Sequence, residues 1–344
     1  MSKLKTATTT AAGMGHLPDR LQSCAGPAAV ERVFERANIP IDVLNDRFVR
    51  IPLSAMVGVF AEAERVSGHP FFGLHVGLGM SGAEIGPWFE FAGQAPTLRQ
   101  GIHRLARAMP LFQNGPRVWL VEMRSGGIMR YFVPRGDDVP ICAHSDHNIP
   151  LMLGFVRRFL GPSWRPRWIE IDYPDRGQGD ELRDLLQCQP LYGRSALSLP
   201  LTAIELDTPP LQHSMAEASM CWADVQAKMT APGSDFIIAL EACILLDMFE
   251  GTPELDSVAR RMSMSKRTLQ RRLTLEGQSF RTLLSKVRHR RALSLLRDTD
   301  LGLTEIAHRL GYSDMANFTR AFKTWVGYAP SIAPRTKATT GTNS

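Results

Sequence analysis

Lys266, Arg267, Gln270 and Arg271 fall within six residues, and each carries hydrogen-bond donors at the end of a reaching side chain. An arginine fork matches guanine O6 and N7 two atoms at a time, and a glutamine amide matches adenine N6 and N7 in the same way. The chemistry that these residues offer is the reading of base-pair edges. A second set, Met315, Asn317 and Arg320, offers a less polar version in which Met315 suits only a thymine methyl or a sugar. Thr268, Arg272, Arg288, Thr319 and Lys323 sit beside these sets, where hydroxyls and cations suit phosphate oxygens.

A different chemistry is conceivable at Cys142-Ala143-His144-Ser145-Asp146-His147, where cysteine, histidine and aspartate crowd into six residues. Such a cluster could hold a metal or pair a nucleophile with a base. The other reading is a helix start, with Ser145 or Asp146 as cap and the histidines at its edge. A structural zinc site normally needs four ligands, which favours the helix start. His69 and His75 flank an aromatic stretch and read as core or rim residues. No G-x-S-x-G, Walker loop or dinucleotide fingerprint occurs. The sequence therefore predicts no catalytic residues, no metal and no cofactor.

The base-reading sets need helices to carry them, and the sequence supplies those helices twice. Leu255, Val258, Ala259 and Met262 repeat as Leu303, Ile306, Ala307 and Leu310, an offset of 48 residues with apolar side chains at i, i+3, i+4 and i+7. Each is followed by a helix that opens at an N-cap, Ser265 or Asp314, and buries Leu269 with Leu273, or Phe318 with Phe322, at an offset of 49. Turning those residues inward leaves Lys266, Arg267, Gln270 and Arg271 outward in the first copy. In the second it exposes Met315, Ala316, Asn317, Thr319, Arg320 and Lys323. A helix over 280–297 joins the copies, with an apolar stripe and an exposed basic side of Arg281, Lys286, Arg288, His289, Arg290 and Arg291. A rigid connector lets one monomer address two major-groove segments about 34 Å apart. Gly311 is expected to take a left-handed conformation in the second turn, and Gly277 and Gly327 to close the reading helices in the same fashion.

The strings Ser265-Lys266-Arg267-Thr268-Leu269-Gln270-Arg271-Arg272-Leu273 and Glu276-Gly277-Gln278-Ser279-Phe280 resemble the first half of the AraC/XylS DNA-binding domain. Leu303-Thr304-Glu305-Ile306-Ala307, Leu310-Gly311-Tyr312-Ser313-Asp314, Phe318-Thr319-Arg320-Ala321-Phe322-Lys323 and Gly327-Tyr328-Ala329-Pro330 resemble the second. The likeness runs from about Phe236 to Pro330. It departs from the family at Ser331-Ile332-Ala333-Pro334, where the usual aromatic after the Pro-Ser pair is missing and a regular final helix loses its support.

Charge follows the same division. Residues 252–337 hold 17 Lys and Arg against 7 Asp and Glu, a net of +10, so the rest of the chain carries 23 against 27, a net of −4, within the overall +6. A basic domain beside a mildly acidic one is the electrostatic footprint of nucleic-acid binding. No apolar run reaches the ~18 residues of a membrane span, and the first residues lack the apolar segment of a secretory signal. Cys24, Cys142, Cys188, Cys221 and Cys243 are scattered, as expected of reduced thiols in the cytoplasm.

The first two thirds reads as α+β. Helices are expected over 18–37, 49–67, 97–111, 145–159, 179–187 and 209–228, a hairpin over 117–123 and 127–133, and strands over 168–172 and 196–199. Phe71-Phe72-Gly73-Leu74, Gly86-Pro87 and Thr97-Leu98 resemble the N-terminal effector domain of one branch of the same family. That resemblance implies a small-molecule sensor and dimerisation module rather than a cupin of the sugar-sensing type. The expected organisation is a disordered leader (1–16), an α+β sensor (17–229), a linker (230–235) and an all-α DNA-binding domain with two helix-turn-helix units joined by a long helix (236–333). A disordered tail (334–344) completes it.

The implied function is a cytoplasmic, dimeric transcription activator that binds promoter DNA and RNA polymerase and answers to a small effector, whose pocket residues the sequence does not identify. The alternatives are a constitutive regulator whose N-terminal domain only dimerises, and a metabolite-processing enzyme fused to a DNA module.

Overall fold

The computed structural model describes residues 6–46, 48–135, 140–211, 220–228 and 234–334. The chain divides into two compact units, Met1–Ile238 and Ala239–Ser344.

The N-terminal unit opens with β1 (Thr8–Thr10), which pairs antiparallel with β2 (Arg50–Pro52), Thr9 opposite Ile51. All three threonines are buried, and the Thr8 amide donates to Asn114 Oδ1 at 2.7 Å. Residues 6–16 are therefore not a disordered leader. A run of β-branched residues is a strand former once it has a partner, and that partner lies some forty residues on in sequence.

Helices α1 (Leu17–Ala25) and α2 (Pro27–Arg36) replace the single helix expected over 18–37, because Pro27 has no N–H to continue the ladder across Gly26. Next come α3 (Leu53–Ser67), α4 (Phe72–Leu78), the single turn α5 (Gly82–Ile85), α6 (Pro87–Gly93) and α7 (Leu98–Phe112). The hairpin β3 (Arg117–Met123) and β4 (Gly126–Phe132) forms with Trp119 opposite Arg130. Helix α8 (Cys142–Leu160) is followed by β5 (Trp168–Glu170), α9 (Gly179–Leu186), β6 (Gln189–Leu191), β7 (Leu197–Thr202), α10 (Ala203–Leu206) and α11 (Trp222–Lys228). The larger sheet has the order β3-β4-β7-β5-β6, with β5 and β6 the parallel pair. The unit is α+β. The helix expected over 209–228 is present only as α11, residues 208–211 being irregular and 212–219 lying outside the described residues.

Helix α8 runs through the core, with Ile149, Leu153, Val156 and Phe159 almost wholly buried. It lies so close to α4 that a Cβ on Gly73 would stand 1.8 Å from the Ala143 carbonyl oxygen, and one on Gly77 2.3 Å from that of His147. Two glycines four residues apart give α4 a face on which another backbone can rest. On the far side, Arg158 of α8 makes a two-pronged pair with Glu90 of α6 at 2.8 Å per contact.

This placement resolves the Cys142–His147 cluster. The helix begins at Cys142, three to four residues before the expected caps, so Ser145 and Asp146 lie inside it. Asp146 is fully buried, accepts from the Tyr173 hydroxyl and pairs with Arg176 at 3.1 Å. His144 and His147 point elsewhere, onto Phe60, with ring centroids 5.7 and 4.5 Å away. They border a cavity lined by β1, α3, α5, α6, α7, α8, β3 and β4. No group of three or more metal-ligating side chains forms among the described residues.

Burial holds both imidazoles neutral, lowering His144 to about 4 and His147 to about 3, against 6.5 in an exposed ring. Burial pushes the Asp146 carboxyl the other way, up from 3.8 to about 7. Between these limits the unfolded chain holds two imidazole protons that the folded chain lacks. The folded chain holds one carboxyl proton that the unfolded chain lacks. The histidines contribute stability above their unfolded value and lose it on acidification, whereas Asp146 contributes below its unfolded value and loses it as pH rises. For these three groups the balance near pH 5 is one proton in favour of unfolding, so they should make N-terminal stability rise with pH. His144→Phe should make the profile shallower. Urea denaturation between pH 4.5 and 6.5, followed by tryptophan fluorescence, measures both slopes.

Candidate nucleic-acid interface

In the C-terminal unit, α12 (Asp235–Glu250) is followed by α13 (Leu255–Arg261) and α14 (Lys266–Leu275), the first helix-turn-helix. Helix α15 (Phe280–Asp298) leads to α16 (Leu303–Arg309) and α17 (Met315–Val326), the second. Residues 330–332 make one 3-10 turn where the sequence departs from the family. Of the expected linker, 230–233 lie outside the described residues and Asp235 opens α12; of the expected tail, only Pro334 is described.

Each reading helix starts as its cap residue dictates. Ser265 Oγ accepts from the Thr268 amide at 3.2 Å, and Asp314 Oδ1 accepts from the Asn317 amide at 2.7 Å. Leu269 and Leu273, and Phe318 and Phe322, are buried. In α14 this turns Arg267, Gln270 and Arg271 to solvent, and none of their side chains has a partner among the described residues. Lys266 is exposed and paired with Asp256 at 2.9 Å. Thr268 shares a hydrogen bond with the Ser265 hydroxyl at 2.8 Å, and Arg272 is half-buried at the flank.

The second reading helix differs in kind. Asn317 Nδ2 donates to Asp314 Oδ2 at 2.6 Å, and Arg320 donates to Asn317 Oδ1 at 2.5 Å. Its two polar reading residues thus form a chain with the N-cap. Met315 and Thr319 are half-exposed, and Ala316 and Lys323 fully so.

Helix α15 braces both motifs. The Trp325 indole donates to Ser285 at 2.9 Å and stacks on His289 at 5.3 Å, which draws His289 inward from the exposed side expected of it. Arg290 pairs with Glu241 of α12 at 2.6 Å, and Arg291 lies 5.3 Å over the Phe249 ring. Arg261 ties α13 to α12 through Asp247 and Glu250, at 2.5 Å each.

Arg288 requires a correction. Expected at the phosphate backbone, it instead donates to the carbonyls of Leu310 (2.8 Å) and Gly311 (3.0 Å) and lies 4.4 Å over the Tyr312 ring. Burial lowers the pKa of its guanidinium, but at that height it stays charged. A charged donor on the orphan carbonyls at a helix end satisfies what the helix cannot. Spacing alone places Arg288 on the basic side of α15; only the return of α16 brings those carbonyls to it.

The two turns also differ. Gly311 takes a left-handed φ of 71° in the second, as expected, and Gly277 and Gly327 take 63° and 84° after the reading helices. In the first turn that conformation falls to Ser263, at φ 52°. A Cβ on Gly311 would stand 3.0 Å from the Gly251 carbonyl oxygen, so this glycine is also required by space.

Two helix-turn-helix units braced by one long helix make a DNA-binding fold, and comparison with known proteins places it. Residues 28–210, more than half the chain, match the model described as the arabinose-binding domain of AraC transcription regulators, N-terminal. Residues 258–333 match a helix-turn-helix domain. The chain belongs to the AraC family of transcription regulators. Its N-terminal domain is of the arabinose-binding type, its C-terminal region carries the helix-turn-helix domain, and the relatives that it matches are named as regulators.

The chain is similar to an HTH-type transcriptional regulator of Mycobacterium tuberculosis, 33% identical over 157 residues, 44% of this chain and 45% of that one. The match thus spans under half the length of that relative. The ornithine utilization regulator of Pseudomonas aeruginosa is 35% identical over 136 residues, 39% of this chain and 40% of that one. VirS of M. tuberculosis is 24% identical over 304 residues, 86% of this chain and 87% of that one. Among solved structures, CdpR of P. aeruginosa matches at a TM-score of 0.36 and 21% identity, over 75% of this chain and 84% of that one. Among the described residues no helix is long and apolar enough to cross a membrane.

Two substitutions test the local geometry of this family member. Arg288→Ala should cost about 2 kcal/mol of stability in the C-terminal unit, and it should leave the salt dependence of DNA binding unchanged. The turn residues should respond with opposite signs. Gly311→Ser should cost about 1–2 kcal/mol, whereas Ser263→Gly should stabilise by about 0.5 kcal/mol as relief of strain outweighs the added backbone freedom. Urea denaturation of each variant gives the values.

Proposed function

We propose that the chain is a sequence-specific, effector-controlled transcription activator in which the first helix-turn-helix carries most of the base discrimination. The observation behind this reading is the exposed and unpartnered state of Arg267, Gln270 and Arg271 on α14. Unspent guanidinium and amide groups meet a base edge without first giving up an internal bond. Lys266 reads beside them after releasing Asp256, and Thr268 and Arg272 hold phosphate. In the second unit Asn317 and Arg320 read bases, Met315 packs on a thymine methyl or sugar, and Thr319 and Lys323 anchor the backbone.

The helical C-terminal unit acts as the DNA-binding domain, and the N-terminal unit, β1 included, as the effector-sensing and dimerisation domain. The regulator works in the cytoplasm as a homodimer, recruits RNA polymerase at its promoter, and answers to a small molecule held in the N-terminal domain. The cavity beside His144 and His147 favours that reading over a constitutive regulator. A ligand shifts output only to the extent that it binds one arrangement of the protein better than another.

Selection of bound sequences from a randomised DNA pool, then salt titration on the selected site, tests the division of labour. Arg271→Ala should cost about 1–3 kcal/mol on the selected site and relax preference at one base pair. Lys323→Ala should weaken all sequences evenly and flatten the salt dependence by about one ion. Equal weakening of every sequence by Arg271→Ala would assign that residue to phosphate and remove the asymmetry.

A further inference from the structure

The cavity in the N-terminal unit has a definite chemical character. It encloses about 70 Å³ open to the centres of water-sized molecules, several times the space one water needs. Its apolar lining is dominated by five methionines, Met56, Met80, Met109, Met129 and Met152, together with the rings of Trp88, Phe89, Phe112 and Phe155. Methionine is unbranched and polarisable, so such walls adapt to an occupant and favour aromatic contact.

The polar groups in the wall are few, neutral and largely committed to one another. Gln113 Nε2 donates to the Tyr131 hydroxyl at 3.1 Å, and Asn148 Nδ2 donates to the His144 carbonyl at 2.7 Å. His147 is 2% exposed, its Nδ1 is buried with no hydrogen-bond partner among the described residues, and the Gly13 backbone lies within reach of the same ring. A buried polar atom without a partner carries a penalty that a ligand atom can remove. No lysine or arginine lines the cavity, and its two histidines are held neutral by burial.

We infer that this cavity binds an uncharged, largely apolar molecule carrying one hydrogen-bonding oxygen, which His147 receives. A carboxylate would meet no counter-charge there, and burying an unpaired ion is among the costliest events in a protein interior. A sugar would bring several hydroxyls to a wall built mostly of methionines and aromatic rings, each unpaired hydroxyl adding its own penalty. Although the matching family model is named for arabinose, this lining selects against it. The inference rests on the effector-controlled reading above for its role in regulation, but the binding site stands or falls separately.

The test uses the full chain with 1-naphthol, naphthalene, 1-naphthoate and L-arabinose as probes, read by quenching of tryptophan fluorescence and by the rise in Tm. Trp88 stacks on Phe112 in the wall and reports occupancy. 1-Naphthol should bind saturably, with 1-naphthoate and L-arabinose at least tenfold weaker; parity of either with the naphthol overturns the inference. Met129→Trp, which fills the cavity, should abolish binding. His147→Phe keeps the ring against Phe60 and serves should the filled variant fail to fold. It should weaken 1-naphthol about tenfold and leave naphthalene unchanged; an unchanged naphthol affinity overturns the role of His147. DNA binding by the same samples separates the two readings. Saturable naphthol binding with unaltered DNA affinity upholds the site and overturns effector control. Absence of naphthol binding in a chain that still binds DNA overturns the site alone.

Discussion

The N-terminal unit depends on one steric fact: two backbones touch where α4 meets α8. Gly73 and Gly77 leave no side chain between them, so α8 is fixed in depth and in rotation. Its remaining contacts follow from that seat. Arg158 meets Glu90, Asp146 faces Tyr173 and Arg176, and the two histidines are turned to Phe60 and the cavity. A backbone contact of this kind cannot yield by changing a rotamer. The wall carried by α8 is therefore stiff, while four of the five methionines lie outside that helix and are soft. Thr9 and Gly13 of the N-terminal segment also line the cavity.

The C-terminal unit solves a different problem, because it must keep cations available to a polyanion while holding itself together with cations. It does so by direction. Arg261, Arg288 and Arg290 are spent on carboxylates or helix-end carbonyls around α12, α15 and α16. Arg267 and Arg271, on a helix whose buried side is two leucines, are left to solvent. Net charge locates such a domain, but the split between structural and available arginines is what gives it a working face.

Much of this was legible in the sequence where its causes are local. The four helices of the repeat, their caps and the left-handed Gly311 follow from periodicity and cap chemistry within a few residues. The α+β character of the first unit and its hairpin follow from alternation and turn residues. What escaped depends on partners distant in the chain. Thr8–Thr10 becomes a strand only against residues 50–52, and short helices such as α4 and α6 are too brief to show a period. Arg288 looked like surface charge because its partners, the carbonyls of Leu310 and Gly311, lie 22 and 23 residues away. The cavity was invisible for the same reason, since its walls come from eight elements spread between Thr9 and Phe155.

The hydrogen-bonded chain Asp314–Asn317–Arg320 gives the second reading helix a character of its own. Its side chains are already frozen in place, so docking would cost little rotamer freedom. Yet every bond made to a base would be an exchange for one already held. A matching base roughly breaks even, and a mismatched one leaves Asn317 or Arg320 with nothing in return. On the proposed reading such a helix would work as a veto: it would add little pull toward the right site and impose its penalty on the wrong one.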